Sequence, residues 1–180
     1  MPVQEILKRI SEWDGNHVVL TGGEPMIAPD LSKLAGALKK QGKHITIETA
    51  GTIPPNGIPC DLASISPKLS NSTPPASRDP AWAKKHESTR LQPEVISEWI
   101  RKYAFQLKFV VSSENDLVEI KSLLLKLPKI TADRVLLMPE GIDTQTLASR
   151  SPWLVEICKR EGFRFCPRLH IELFGHKRGT

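Results

Sequence analysis

The sequence predicts an α/β fold, a partial (open) β/α barrel of about five to six mostly parallel strands. Three observations predict it. Apolar strand-like runs alternate with amphipathic helical runs through most of the 180 residues, the pattern of a parallel sheet with right-handed helical crossovers. The strand count is too low to close an eight-stranded barrel. No internal repeat is present. A flavodoxin-like sheet is the structural alternative.

Residues 5–12 read as a short amphipathic helix, with Ile6, Leu7 and Ile10 on one face. Residues 17–21 read as a buried strand. Pro29-Asp30 opens a helix over about 31–40 with Asp30 as its N-cap. Leu31, Leu34, Ala35 and Leu38 recur there at helical spacing, and Gly42 stops it. Residues 44–48 and 62–65 are the next strands. Residues 69–92 break the rhythm, because Ser70-Asn71-Ser72-Thr73-Pro74-Pro75 and Arg78-Asp79-Pro80 interrupt regular structure. This segment reads as a loop insertion, with a lid as one role for it, inside a single domain spanning 1–180. Pro93 starts a helix with Val95, Ile96, Trp99, Ile100 and Tyr103 on one face. A strand at 106–111, a helix at 116–126 and a strand at 135–138 follow. A helix over 144–161, interrupted near Pro152, leads to a last strand at 163–167 and a further short run at 168–171.

The strand ends carry the chemistry. Thr21-Gly22-Gly23-Glu24-Pro25 follows the first strand, and its glycines let backbone approach a ligand with no Cβ in the way. Glu48 ends the second strand, where a carboxylate can accept a ribose hydroxyl or an ammonium proton; Thr49 to Thr52 read as shaping the loop. Ser66-Pro67-Lys68 follows the third, offering a hydroxyl and a positive charge. Parallel α/β proteins place ligands at these carboxyl ends. Each motif also has a plainer reading, as a tight turn, an exposed strand-end charge and a common Ser-Pro turn. No nucleophile elbow or phosphate loop is present. His44 and His170 read as packed or surface residues, and Cys60, Cys158 and Cys166 as buried small hydrophobes.

Composition narrows the class. With 39% apolar and 25% charged residues the chain is that of a globular protein. No apolar run is long enough for a membrane span. Three scattered cysteines argue against a disulfide framework and for a reducing, cytoplasmic compartment. The net charge is +5, but the basic residues are interspersed with acids apart from Lys84-Lys85-His86, which argues against nucleic-acid binding.

Taken together, Thr21-Gly22-Gly23-Glu24-Pro25, Glu48-Thr49-Ala50-Gly51-Thr52 and Ser66-Pro67-Lys68 resemble the S-adenosylmethionine-binding elements of radical SAM enzymes. Lys108-Phe109-Val110-Val111, Met138-Pro139-Glu140-Gly141 and Arg168-Leu169-His170 before Arg178-Gly179-Thr180 are similar to the later strands and tail of the 7-carboxy-7-deazaguanine synthase family. The resemblance implies a lyase that converts 6-carboxy-5,6,7,8-tetrahydropterin to 7-carboxy-7-deazaguanine in queuosine and deazapurine biosynthesis. It implies S-adenosylmethionine bound by Gly22, Gly23, Glu24, Glu48, Ser66, Pro67 and Lys68. It implies a small-molecule pterin substrate touching Thr21 and the terminal carboxylate of Thr180, and it allows for a homodimer. The family's [4Fe-4S] cluster and Mg2+ are implied as well, but their ligands have no counterpart here: the three cysteines are far apart. The chain therefore reads as beginning after the first strand and cluster loop, and as inactive in this form. Another radical SAM enzyme, such as a glycyl-radical activase, and a degenerate S-adenosylmethionine-binding protein without a cluster remain the alternatives.

Overall fold

Six strands lie in one parallel sheet in the simple order β1 to β6, in a computed structural model that describes residues 1–75 and 77–177. The strands are β1 (His17–Leu20), β2 (His44–Thr49), β3 (Leu62–Ile65), β4 (Phe105–Val111), β5 (Val135–Pro139) and β6 (Arg164–Phe165). The helices are α1 (Val3–Ser11), α2 (Leu31–Lys40), α3 (Pro80–Thr89), α4 (Pro93–Lys102), α5 (Asp116–Leu124), α6 (Thr144–Glu161) and α7 (Leu169–Phe174). Sequential order rejects the flavodoxin-like alternative, in which the order reverses and helices cover both faces. Successive right-handed crossovers in one direction keep the helices on one side. β1 and β6 stay unpaired with each other, so the barrel is open.

Strand side chains alternate between faces, and the register shows which is which. Leu20, Ile47, Ala63, Ile65, Leu107, Val135 and Leu137 point toward the helices and are buried. Leu34, Ala35 and Leu38 of α2, Ile96 and Trp99 of α4, and Ile120 and Leu123 of α5 complete that core. Trp99 is fully buried, yet its indole N–H donates to the Ile53 carbonyl. The opposite face presents Thr46, Glu48, Ser64, Gln106 and Lys108 beside the apolar Val110, Leu136 and Met138.

Several sequence expectations need correcting. β1 is an edge strand rather than a buried one: His17 is exposed and Val19 is 54% exposed. Asp30 occupies the N-cap position of α2 but makes no side-chain cap bond. Gly42 does stop α2, at φ +73. Part of the 69–92 loop is regular, with a 3-10 turn at Ser70–Ser72 and α3 beyond it. Asp79 caps α3 by accepting from the Trp82 amide, and Pro80 sits where a missing N–H costs nothing. α6 runs unbroken through Pro152. The run at 168–171 is not a strand but opens α7. Cys158 is buried as expected, whereas Cys60 and Cys166 are only half-buried.

Candidate functional site

A cavity of about 350 Å³ opens at the carboxyl ends of the strands. Its walls come from the loops after β1, β2 and β3, from the floor of β4 and β5, and from the start of α7. Of the nine predicted site residues, Thr21, Gly22, Gly23, Glu48, Ser66 and Lys68 line it. The motifs far apart in sequence therefore meet.

The Gly-Gly turn works through Gly22. Its φ of +156 is a conformation that L side chains rarely adopt, while Gly23 has no such constraint. A Cβ built on either would meet nothing within 4 Å, so backbone faces open cavity at both. Gly51 serves the fold instead: at φ +72, a Cβ there would sit 2.8 Å from Ile96 Cγ1.

Glu24 and Pro67 are not among the residues that line the cavity. Pro67 is buried beneath the loop. The Glu24 carboxylate turns sideways and accepts from the Thr49 hydroxyl (2.9 Å), the Ala50 amide (2.9 Å) and the Met26 amide (3.2 Å). It braces the β1 turn against the end of β2. Thr49 and Ala50 consequently face the cavity as well as shaping the loop. Thr180, the predicted substrate contact, lies outside the described residues.

Glu48 is a hub as well as a partly exposed charge. One oxygen pairs with the Lys108 ammonium at 3.0 Å and the other accepts from the Thr21 hydroxyl at 3.1 Å. Lys108 on β4 reaches Glu48 on β2 across β3 because β3 presents only the short side chain of Ser64 there. Sequence reasoning took Lys108 only as part of a strand signature. The alternation of polar residues along β4, Gln106-Lys108, was the signal that it faced the open side.

Arg168 and His170 add to the lining, and the Arg168 Nε donates to the Pro139 carbonyl. Lys68, Lys108 and Arg168 thus face the cavity against one lining carboxylate, Glu48. Burial presses the Lys68 ammonium below its ordinary pKa, and the positive charge of Lys108 lowers it further. Glu24 and Glu48 pull the other way. Such a surplus of partly desolvated cations suits an anionic ligand, in particular a carboxylate.

An iron–sulfur cluster does not fit the residues present. Among the described residues no group of three or more His, Cys, Asp or Glu could hold a metal ion. Burial raises the Cys60 thiol to about 11, away from the thiolate a cluster needs, and also raises Cys158. Among the described residues no helix is long and apolar enough to cross a membrane.

No model of a known protein family matches the chain. Individual relatives do. The chain is 43% identical over 179 residues to the 7-carboxy-7-deazaguanine synthase of Rhodopirellula baltica, covering 99% of this chain and 69% of the relative. It is 39% identical over 184 residues to the enzyme of that name from Halobacterium salinarum, covering 97% and 71%. A crystal structure of QueE from Escherichia coli superposes with a TM-score of 0.65 at 22% identity. That superposition covers 93% of this chain and 64% of QueE and shows a shared fold.

Proposed function

The chain belongs to the 7-carboxy-7-deazaguanine synthase family, and we propose that its strand-end cavity binds S-adenosylmethionine beside a 6-carboxytetrahydropterin, for conversion to 7-carboxy-7-deazaguanine. The observation that carries this reading is the convergence of Thr21, Gly22, Gly23, Glu48, Ser66 and Lys68 on one cavity with surplus positive charge. The radical chemistry of such a reaction belongs to the cofactor; the chain's part is to bind, orient and exclude water.

In this proposal the exposed backbone at Gly22 and Gly23 pairs with the amino-acid end of S-adenosylmethionine. Lys68 meets its carboxylate, and Ser66 a ribose hydroxyl. Glu48 keeps acceptor capacity beyond its bonds to Lys108 and Thr21, since a carboxylate has about four lone-pair sites. Arg168 and His170 stand where a second carboxylate, that of the pterin, is to be received. Because these residues supply no cluster ligands, the proposal for the 180-residue chain itself is ligand binding without turnover.

Calorimetric titration of the chain with S-adenosylmethionine tests the reading. Saturable binding is expected, and Lys68→Ala should cost on the order of 2–5 kcal/mol of affinity, as truncating one partner of a desolvated charge pair does. Absence of binding, or a loss under ~1 kcal/mol, typical of an exposed charge, would place the ligand or the lysine elsewhere.

A further inference from the structure

We propose that Arg90, at the C-terminal cap of α3, is a positioning residue that holds Lys68 facing the ligand. The inference rests on the reading of Lys68 as a ligand group. The Arg90 side chain is only 9% exposed and all of its reach is engaged. Nε and one terminal nitrogen grip both oxygens of Glu87. The other terminal nitrogen donates to the Lys68 carbonyl at 2.9 Å and to Glu119 of α5. The second Glu119 oxygen accepts from the Ser70 amide at 2.9 Å and the Ser70 hydroxyl at 2.8 Å. Glu87 accepts in turn from the Thr73 hydroxyl at 2.7 Å. One guanidinium therefore fastens residues 68, 70 and 73 to two helices.

The physical need for such a clasp lies in the cavity. The Lys68 ammonium is partly desolvated and shares its surroundings with Lys108 and Arg168, against Glu24 and Glu48. Glu24 is committed to the rim and Glu48 to Lys108 and Thr21. Without a ligand, like-charge repulsion and hydration both favour turning Lys68 outward. Fixing the backbone at the Lys68 carbonyl, between buried Pro67 and Leu69, fixes the position and direction from which that side chain leaves the chain and so biases it toward the cavity. Only the planar fork of arginine can serve these acceptors together; a lysine ammonium is a point charge.

A double-mutant cycle on the 180-residue chain, with S-adenosylmethionine as the calorimetric probe, tests the proposal. Arg90→Met should weaken binding about tenfold, and combined with Lys68→Ala it should add no more than about twofold to the loss from Lys68→Ala alone. Arg90→Lys should lose most of what Arg90→Met loses. Additive losses, or parental affinity in folded Arg90→Met, would overturn the proposal. If Arg90→Met does not fold, Glu119→Gln, which loosens the same clasp, should show the same non-additivity, and additivity there would overturn it equally. If the parent chain binds no S-adenosylmethionine, the reading of the cavity fails on its own account. The clasp is then read from the Lys68 ammonium titration by NMR. Loosening Arg90 or Glu119 should move that titration upward toward the ordinary lysine value, and an unmoved titration would sink the clasp.

Discussion

Two hydrogen-bonded clusters brace this cavity, one centred on a carboxylate and the other on a guanidinium. At the β1–β2 rim, Glu24 accepts from neutral donors: the Thr49 hydroxyl and the Ala50 and Met26 amides. At the β3–α3 corner, Arg90 is held by two carboxylates, Glu87 and Glu119. Two of the rim's donors are backbone amides, and the third is the hydroxyl of Thr49, the buried last residue of β2. The corner joins flexible side chains from two helices to a loop. The rim is thus built largely from backbone, whereas the corner is built from charged side chains and holds the backbone of one residue, Lys68.

Breaking the rim should have the largest effect. Glu24→Ala leaves the buried Thr49 hydroxyl and the Ala50 amide without their acceptor. An unsatisfied buried donor costs about 1–3 kcal/mol, so a loss on the order of 3 kcal/mol is expected in urea unfolding. A loss under ~1 kcal/mol, the scale of an exposed charge, would show that solvent replaces the carboxylate and that the rim is no firmer than the corner.

The lysine that the corner supports should report a smaller and opposite effect. Burial and Lys108 both disfavour the charged form of Lys68. Lys68→Met should therefore raise the stability of the ligand-free chain by about 0.5–1 kcal/mol, in the range of favourable single substitutions, while weakening S-adenosylmethionine binding. Destabilisation by this variant would mean that Lys68 serves the fold rather than the ligand.

Acid should separate the two devices with the smallest change. The Arg90 fork and the Thr73 hydroxyl hold Glu87 at about 2, below its ordinary 4.5. A carboxyl whose folded pKa is depressed contributes stability above its unfolded pKa and loses it as pH falls through the folded one. The contribution of Glu87 is thus complete above about 4.5 and fades toward about 2. Because the Glu87 side chain is half exposed, its share is screened to under ~1 kcal/mol. Glu87→Gln should flatten the acid limb of thermal stability between those values. An unchanged limb would show that Glu119 alone carries the clasp.

The six strands, their parallel pairing and the strand-end loops that meet at the cavity were legible in the residues, whereas α3 and α7 were not. Alternating periodicities and turn residues are local signals, and glycine, proline and short polar runs at the strand ends already marked where backbone would meet a ligand. What the tertiary structure decided were the partners. Glu24, expected as a ligand group, is also a brace, because the Thr49 hydroxyl and Ala50 amide that donate to it lie 25 and 26 residues on, at the end of β2. Lys108 looked like strand and is cavity floor, because the short Ser64 on an intervening strand lets it reach Glu48, 60 residues away. α3 was hidden by the prolines around it, and Arg90 by its likeness to any helical surface charge. β1 looked buried because its residues are apolar, and lies at the edge because burial depends on neighbours that only the assembled sheet supplies. Local propensity is written in consecutive residues, whereas a long-range hydrogen bond or ion pair is set by which distant side chains the folded backbone brings within about 3 Å of each other.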